Sequence, residues 1–300
     1  MKSNRKVFVA IDFSPAADEA LRQASERVAS PGDQLAVCHI IPNELRSNLL
    51  FPQFTKKAAL EVPVEVEAIS EAVAKRVREV TGRKDSEVQI FADHGTPYAE
   101  ILNRAEAWGA DLIVVGSHGM TSDASVLIGG VTDKVIRYAH SPVLVARPPK
   151  VRGRIVAGTD FSDPALPAVE AAVAEARRTG GHLSIVHSLE LFWTLTSAGA
   201  MGGGYPVISE EVYAEMQQAA QERMEGILRK FGTRGDILVK RGPAGPVLVS
   251  VATDINAELV VVGTIGRTGL RRLLLGSVAE AVASHAPCSV LIVRLHPAKD

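Results

Sequence analysis

The sequence predicts an α/β protein built from two tandem doubly wound units, and three observations carry that prediction. Short β-branched apolar runs alternate with longer amphipathic stretches along the whole chain. The runs "LIVVG" and "LVVVG" are apolar throughout, as expected of central parallel strands covered by helices on both faces. The third observation is that the second half repeats the first. "VFVAIDFSPAADEAL" at 7–21 matches "IVAGTDFSDPALPAV" at 155–169, and "LAVCHI" at 35–40 matches "LSIVHS" at 183–188. Asp12 thereby faces Asp160, and His39 faces His187, at one constant offset. "ADLIVVGSHG" at 110–119 matches "AELVVVGTIG" at 257–266, and "SPVLVAR" at 141–147 matches "CSVLIVR" at 288–294, at an offset one residue shorter. The predicted domains are 1–148 and 149–300, joined near "RPPKVRGR" at 147–154, whose prolines and glycine suit a linker.

In the first half the expected strands are Lys6 to Ile11, Gln34 to Ile40, Glu87 to Ala92, Asp111 to Gly116 and Pro142 to Ala146. Between them helices are expected over Pro15 to Ala29, Val64 to Thr81, Pro97 to Trp108 and Gly130 to Tyr138. Ser14 before Pro15, and Ser162 before Asp163-Pro164, each place an N-cap residue ahead of an early proline. The segment "RSNLLFPQFTKKAALEVP", 46–63, reads as an insertion whose Leu49, Leu50, Phe51 and Phe54 either pack under the loop or face a partner.

Composition limits what the chain can do. Its 300 residues are 46% hydrophobic and 22% charged, ordinary values for folded globular domains. Lysine plus arginine number 33 against 34 aspartate plus glutamate, so no net field favours nucleic acid or an anionic membrane. Asp12 interrupts the N-terminal apolar run too early for a signal-peptide core, and a cytoplasmic location is expected. Cys38 and Cys288, the two cysteines, belong to no CxxC or Cys/His cluster and read as reduced packing residues. His118 stands alone in its loop and is no metal ligand candidate.

In open parallel sheets ligands sit beyond the carboxyl ends of the strands, where the strand order reverses. Asp12, Asp160, Gly116 and Gly263 all fall at such ends. Gly263, two residues, Gly266, nine residues, Gly276 and then Ser277 form a spaced series. Glycine at a strand end allows close backbone approach, and a glycine opening a helix offers its free N–H groups and dipole to an anion.

These motifs, together with "TDFSDPAL", "IVHS" and "AELVVVGTIGRTGLRRLLLGSVAEAVASHAPCSVLIVR", resemble the universal stress protein family in its tandem form, over essentially the whole chain. The family's nucleotide signature, G-x2-G-x9-G-[ST], is met by Gly263, Gly266, Gly276 and Ser277. The resemblance implies two five-stranded parallel sheets of order 3-2-1-4-5 with helices on both faces, and ATP as ligand, with or without Mg2+. It implies Asp160 near ribose and adenine, Ser188 beside adenine, and Gly266, Gly276, Ser277 and Val278 around the phosphates. In the first half the corresponding residues are Asp12, Ile40, Gly116, Gly119 and Gly129. There Gly130 replaces the hydroxyl residue and "MTSDASVLI", which includes Asp123, replaces "RTGLRRLLL", so weaker binding is expected. An internal pseudo-dimer, with "VLVAR" and "VLIVR" pairing, is implied as well, and a homodimer of whole chains stays open.

Plainer readings compete at several of these positions. "SVAE", 277–280, has the form of a capping box with Ser277 as N-cap, which suits either a helix start or a phosphate contact. Asp160 could serve only its own turn. Arg267, Arg271 and Arg272 read as a solvated face with at most one or two reaching phosphate, and His39 and His187 as satisfied core histidines. The glycine-rich "SAGAMGGGYPV", 197–207, lacks dinucleotide-fingerprint placement and reads as a loop closing over the second site through Met201 and Tyr205. Three functions follow: a nucleotide-dependent stress-response regulator or sensor that presents an ordered loop to an unknown protein partner, a slow ATPase, or a structural protein that has lost nucleotide. The sequence has no Walker lysine motif and no convergent acid/base pair beyond Asp160, so any hydrolysis is expected to be slow.

Overall fold

Each strand predicted from an apolar run forms, because only a parallel strand buried on both faces removes residues such as Val7, Phe8 and Val9 completely from water. The computed structural model describes residues 4–42, 52–119, 128–190, 209–264 and 275–294, with backbone alone over 52–65. The chain divides between Arg147 and Pro148 into two compact units.

The first unit runs β1 (Lys6–Ala10), α1 (Pro15–Glu26), β2 (Gln34–Pro42), α2 (Pro52–Thr81), β3 (Val88–Gly95), α3 (Pro97–Trp108), β4 (Leu112–Gly116), α4 (Gly130–Tyr138) and β5 (Val143–Ala146). Its strands lie in the order β3-β2-β1-β4-β5, and every neighbouring pair is parallel. The second unit runs β6 (Arg154–Gly158), α5 (Leu166–Thr179), β7 (His182–Leu189), α6 (Glu210–Lys230), β8 (Asp236–Arg241), α7 (Ala244–Asp254), β9 (Leu259–Gly263), α8 (Ser277–His285) and β10 (Ser289–Val293). Its order, β8-β7-β6-β9-β10, is the same pattern, again parallel throughout.

The order reverses at the first strand of each unit, so right-handed crossovers send the first two helices to one face and the last two to the other. α1 packs with α2, and α3 with α4; α7 and α8 repeat the second pairing. The cores are the two-sided strands, with Leu112–Val115 and Leu259–Val262 all nearly inaccessible. Each such side chain contributes about 1.5–3 kcal/mol when fully buried.

Three local outcomes differ from expectation. α2 begins at Pro52 rather than near Val64 and runs through Pro63, so the back of the supposed insertion is helical. Proline tolerates the first helical turn, where its missing N–H costs nothing. After β6 the chain makes a short 3-10 turn, Asp163–Ala165, before α5 starts at Leu166. Ser14 caps α1 as expected, its Oγ accepting the Ala17 N–H at 3.1 Å. Ser162 caps nothing with its side chain. Residues 197–207, with Met201 and Tyr205, lie outside the described residues.

Candidate functional site

The site forms where β1 and β4, or β6 and β9, lie side by side and their following loops part to opposite faces. β1 hands over to Ile11, Asp12 and Phe13. Asp12 Oδ1 accepts the Ser14 N–H at 3.1 Å. In the second unit Asp160 Oδ1 accepts both the N–H and the hydroxyl of Ser162, at 3.0 and 2.6 Å. Ser162 therefore spends its hydroxyl on the carboxylate rather than on the helix, which accounts for its failure to cap. The turn role anticipated for Asp160 is real, and it fixes the carboxylate at the strand exit.

Between each aspartate and serine stands a phenylalanine with left-handed backbone, φ 63° at Phe13 and 64° at Phe161. For a residue with a Cβ this costs about 1–3 kcal/mol and persists only when the surroundings enforce it. In both units a histidine ring lies against this phenylalanine. The rings of Phe13 and His39 lie 4.9 Å apart, those of Phe161 and His187 4.2 Å apart. His39 Nδ1 lies 2.9 Å from the Ile11 carbonyl, and His187 Nδ1 2.9 Å from the Thr159 carbonyl. The recurring "DFS" is the sequence signal for this arrangement, and sequence reasoning misses both phenylalanines.

The glycines converge on the same place. A Cβ built on Gly119 would lie 2.5 Å from Asp12 Oδ2, so the loop after β4 passes directly against the Asp12 carboxylate. A Cβ on Gly116 would lie 2.8 Å from the carbonyl carbon of Ala16, so this glycine is required by the close approach of α1. Gly129 donates its N–H to Ser117 at 2.8 Å, and Gly276 donates to Thr264 at 2.8 Å, folding each helix start back onto its strand exit. Gly263 ends β9; Gly266, Arg267, Arg271 and Arg272 lie outside the described residues, as does Asp123.

Ser277 is not the N-cap of α8. Gly276 occupies that position, with extended backbone at φ −68° and ψ 151°, and no side chain caps the helix. Ser277 is the first helical residue, so its hydroxyl is not placed to accept from the third, and the capping box with Glu280 does not form. Ser277 is exposed and Val278 half-buried. α4 begins identically, with Gly129 as N-cap, Gly130 in the Ser277 position and no capping side chain. Among the described residues no side chain caps the first-turn N–H groups of either helix, which opens them to water or a ligand.

At the exit of the second strand the units diverge. Ile40 is buried and lies in register with Asp93. Asp93 receives a bidentate pair from Arg104, at 2.8 and 2.5 Å, and that bonding raises the arginine's pKa. Ser188 lies in register with Lys240 and donates its hydroxyl to the Gly242 carbonyl.

Arg76 and Arg223 stand at matching positions of α2 and α6. Arg76 pairs bidentately with Asp18, at 2.8 and 2.5 Å. Leu166 replaces Asp18 in the second unit, and Arg223 instead lies over the Phe161 ring, its Cζ 4.9 Å from the centroid.

Cys38 is fully buried and its thiol is pushed up to about 12 by burial, which keeps it protonated and unreactive. Among the described residues no group of three or more histidine, cysteine, aspartate or glutamate side chains could hold a metal ion. Among them, too, no helix is long and apolar enough to cross a membrane.

A model of the universal stress protein family matches residues 3–147 and again 152–294. A universal stress protein of Mycobacterium tuberculosis is 27% identical over 309 residues, an alignment covering 97% of each chain. One from Methanocaldococcus jannaschii is 32% identical over 143 residues, 47% of this chain and 81% of its own. Among solved structures, a universal stress protein from Archaeoglobus fulgidus shares the fold with a TM-score of 0.65 at 21% identity, covering 98% of this chain and 99% of its own. The chain belongs to the universal stress protein family, with two such domains in tandem.

Proposed function

We propose that the second domain binds ATP and that the chain acts as a nucleotide-dependent stress-response regulator. The observation that carries this is the start of α8: an N-terminus without a capping side chain, opened by Gly276 and an exposed Ser277, at the reversal point of the sheet. The chemistry fits a phosphate group, which accepts from backbone N–H and hydroxyl donors and is favoured by the positive end of the helix. In this reading Gly266, Gly276, Ser277 and Val278 hold the phosphates, Asp160 faces the ribose, and Ser188 lies beside the adenine.

The first domain offers the same scaffold through Asp12, Ile40, Gly116, Gly119 and Gly129. Gly130 removes one hydroxyl donor, so its affinity is lower. A hydrogen bond to a charged group is worth about 1.5–3 kcal/mol. Occupancy is what the protein signals, with a protein partner reading the loop between Gly266 and Gly276, and any turnover falls below about 1 per second. The buried thiols of Cys38 and Cys288 suit a reducing, cytoplasmic setting.

The test is to denature the purified protein, identify the released small molecules, and titrate the stripped protein with ATP. One equivalent of nucleotide, lost in folded Gly276→Asp and Ser277→Ala/Gly266→Asp variants, supports the reading. Absence of measurable ATP binding by the intact protein overturns it.

A further inference from the structure

We propose that His187 is a positioning residue for the nucleotide site: it holds the turn from Thr159 to Ser162, and with it the Asp160 carboxylate, in the ligand-facing conformation. This deepens the ATP-binding reading of the second domain and rests on it.

The geometry is a clasp. Thr159, just beyond β6, donates its N–H to the Val186 carbonyl at 3.0 Å and accepts at its own carbonyl from the neighbouring His187 ring at 2.9 Å. Both backbone polar groups of Thr159 are thus tied to two consecutive residues of β7. Because a carbonyl only accepts, His187 Nδ1 must carry a proton for this bond to form. The same ring then supports the left-handed Phe161 on the far side of Asp160. Asp160 is therefore bracketed: His187 touches the residue on each side of it, and the Thr159 hydroxyl adds an acceptor for the Phe161 N–H at 3.2 Å.

The first domain repeats the backbone tie and both histidine contacts. Ile11 donates to Cys38 at 2.9 Å and accepts from His39 at 2.9 Å, while Phe13 at φ 63° lies against the His39 ring. The clasped residue has changed from isoleucine to threonine between the units, yet the hydrogen bond and the ring contact both persist. Core filling alone would require only an apolar ring at this buried position; the donor nitrogen is the part that needs histidine.

The substitutions that separate donor from ring are His187→Asn and His187→Phe. Asparagine carries its amide nitrogen the same number of bonds from the backbone as Nδ1 and keeps the donor, whereas phenylalanine keeps the ring and loses it. Nitrogen-15 NMR of the wild-type protein is expected to show the Nδ1–H tautomer at His187. ATP titration is expected to show affinity falling about tenfold in His187→Phe and recovering to within about threefold of wild type in His187→Asn. An Nε2–H tautomer, unchanged affinity in both variants, or equal losses in both, would overturn the proposal. Should the wild-type protein bind no ATP, the nucleotide reading fails and the clasp is decided without ligand, by hydrogen exchange at the Ser162 amide. Exchange that speeds up in His187→Phe and recovers in His187→Asn, against an unaffected Val261 amide, upholds the clasp; exchange unchanged in His187→Phe refutes it.

Discussion

Gly276 turns its N–H onto the Thr264 carbonyl at 2.8 Å, and a Cβ on Gly276 would meet that same oxygen at 2.8 Å. The two residues bracket the loop that the family signature marks, so this contact sets how the loop's end returns to the sheet. A methyl group has no room without moving backbone. Gly276→Ala is expected to lower stability by about 1–3 kcal/mol in chemical denaturation, through overpacking alone. A stability equal to wild type would show that the helix start shifts freely.

Gly116 and Gly119 make a contrasting pair in the first domain. A methyl group on Gly116 meets the backbone of Ala16 at 2.8 Å, which can yield only if α1 moves. On Gly119 it meets the end of the Asp12 side chain, which can swing away. Gly116→Ala should cost about 1–3 kcal/mol of stability, and Gly119→Ala less than about 1 kcal/mol. Equal costs measured by urea unfolding would contradict the different origin of the two contacts.

The hydroxyl that the first domain lacks can be restored. Gly130→Ser places a serine in the position of Ser277, and first-domain affinity for ATP should rise by about tenfold, one hydrogen bond to a charged acceptor. Calorimetry on a chain whose second site is disabled by Gly276→Asp reads this directly. No gain would mean that the loop residues, rather than the hydroxyl, separate the two domains.

Cys38 makes stability fall in alkali. A cysteine thiol in the unfolded chain titrates at its ordinary value of 9.0, whereas the fold pushes Cys38 up to about 12, so above pH 9.0 the unfolded chain releases a proton that the folded chain keeps. Its contribution is fully present below pH 9.0 and is lost as pH rises toward about 12, by at most about 1.4 kcal/mol per pH unit. Cys38→Ala should flatten that alkaline limb of the unfolding curve. Alkylation of Cys38 at neutral pH without unfolding would show that its burial is incomplete.

Arg76 and Arg223 should respond differently to truncation. Arg76→Ala removes a bidentate pair whose arginine side chain is 34% exposed, with Asp18 at 18%. It should cost about 1 kcal/mol, less at high salt. Arg223→Ala removes a contact with an aromatic face and should cost about 0.5 kcal/mol. Thermal unfolding at low and high ionic strength checks both.

The strands and the duplication were legible because two-sided burial forces apolar runs, and because aspartate, histidine and glycine recur at strand exits. The end of the first insertion was not. Pro63 suggested a boundary where α2 in fact continues from Pro52, since the cost of an internal proline can be outweighed by the rest of a long helix. The capping box failed for a different reason: a serine-to-glutamate spacing names two residues but cannot say which has left helical backbone, and Gly276 had. The clasp around Asp160 was invisible because it depends on a left-handed phenylalanine, which local propensity disfavours.

A helix start with no cap of its own has its stability set partly from outside. α4 and α8 both open on glycine, with no side chain in the capping role. Whatever anion reaches these N–H groups adds to folding as RT ln(1 + [L]/Kd), a thermodynamic link between the ligand pool and the lifetime of the chain. Under the ATP-binding reading, depletion of the nucleotide is expected to shorten the lifetime of the chain, measurable as faster proteolysis of the stripped protein.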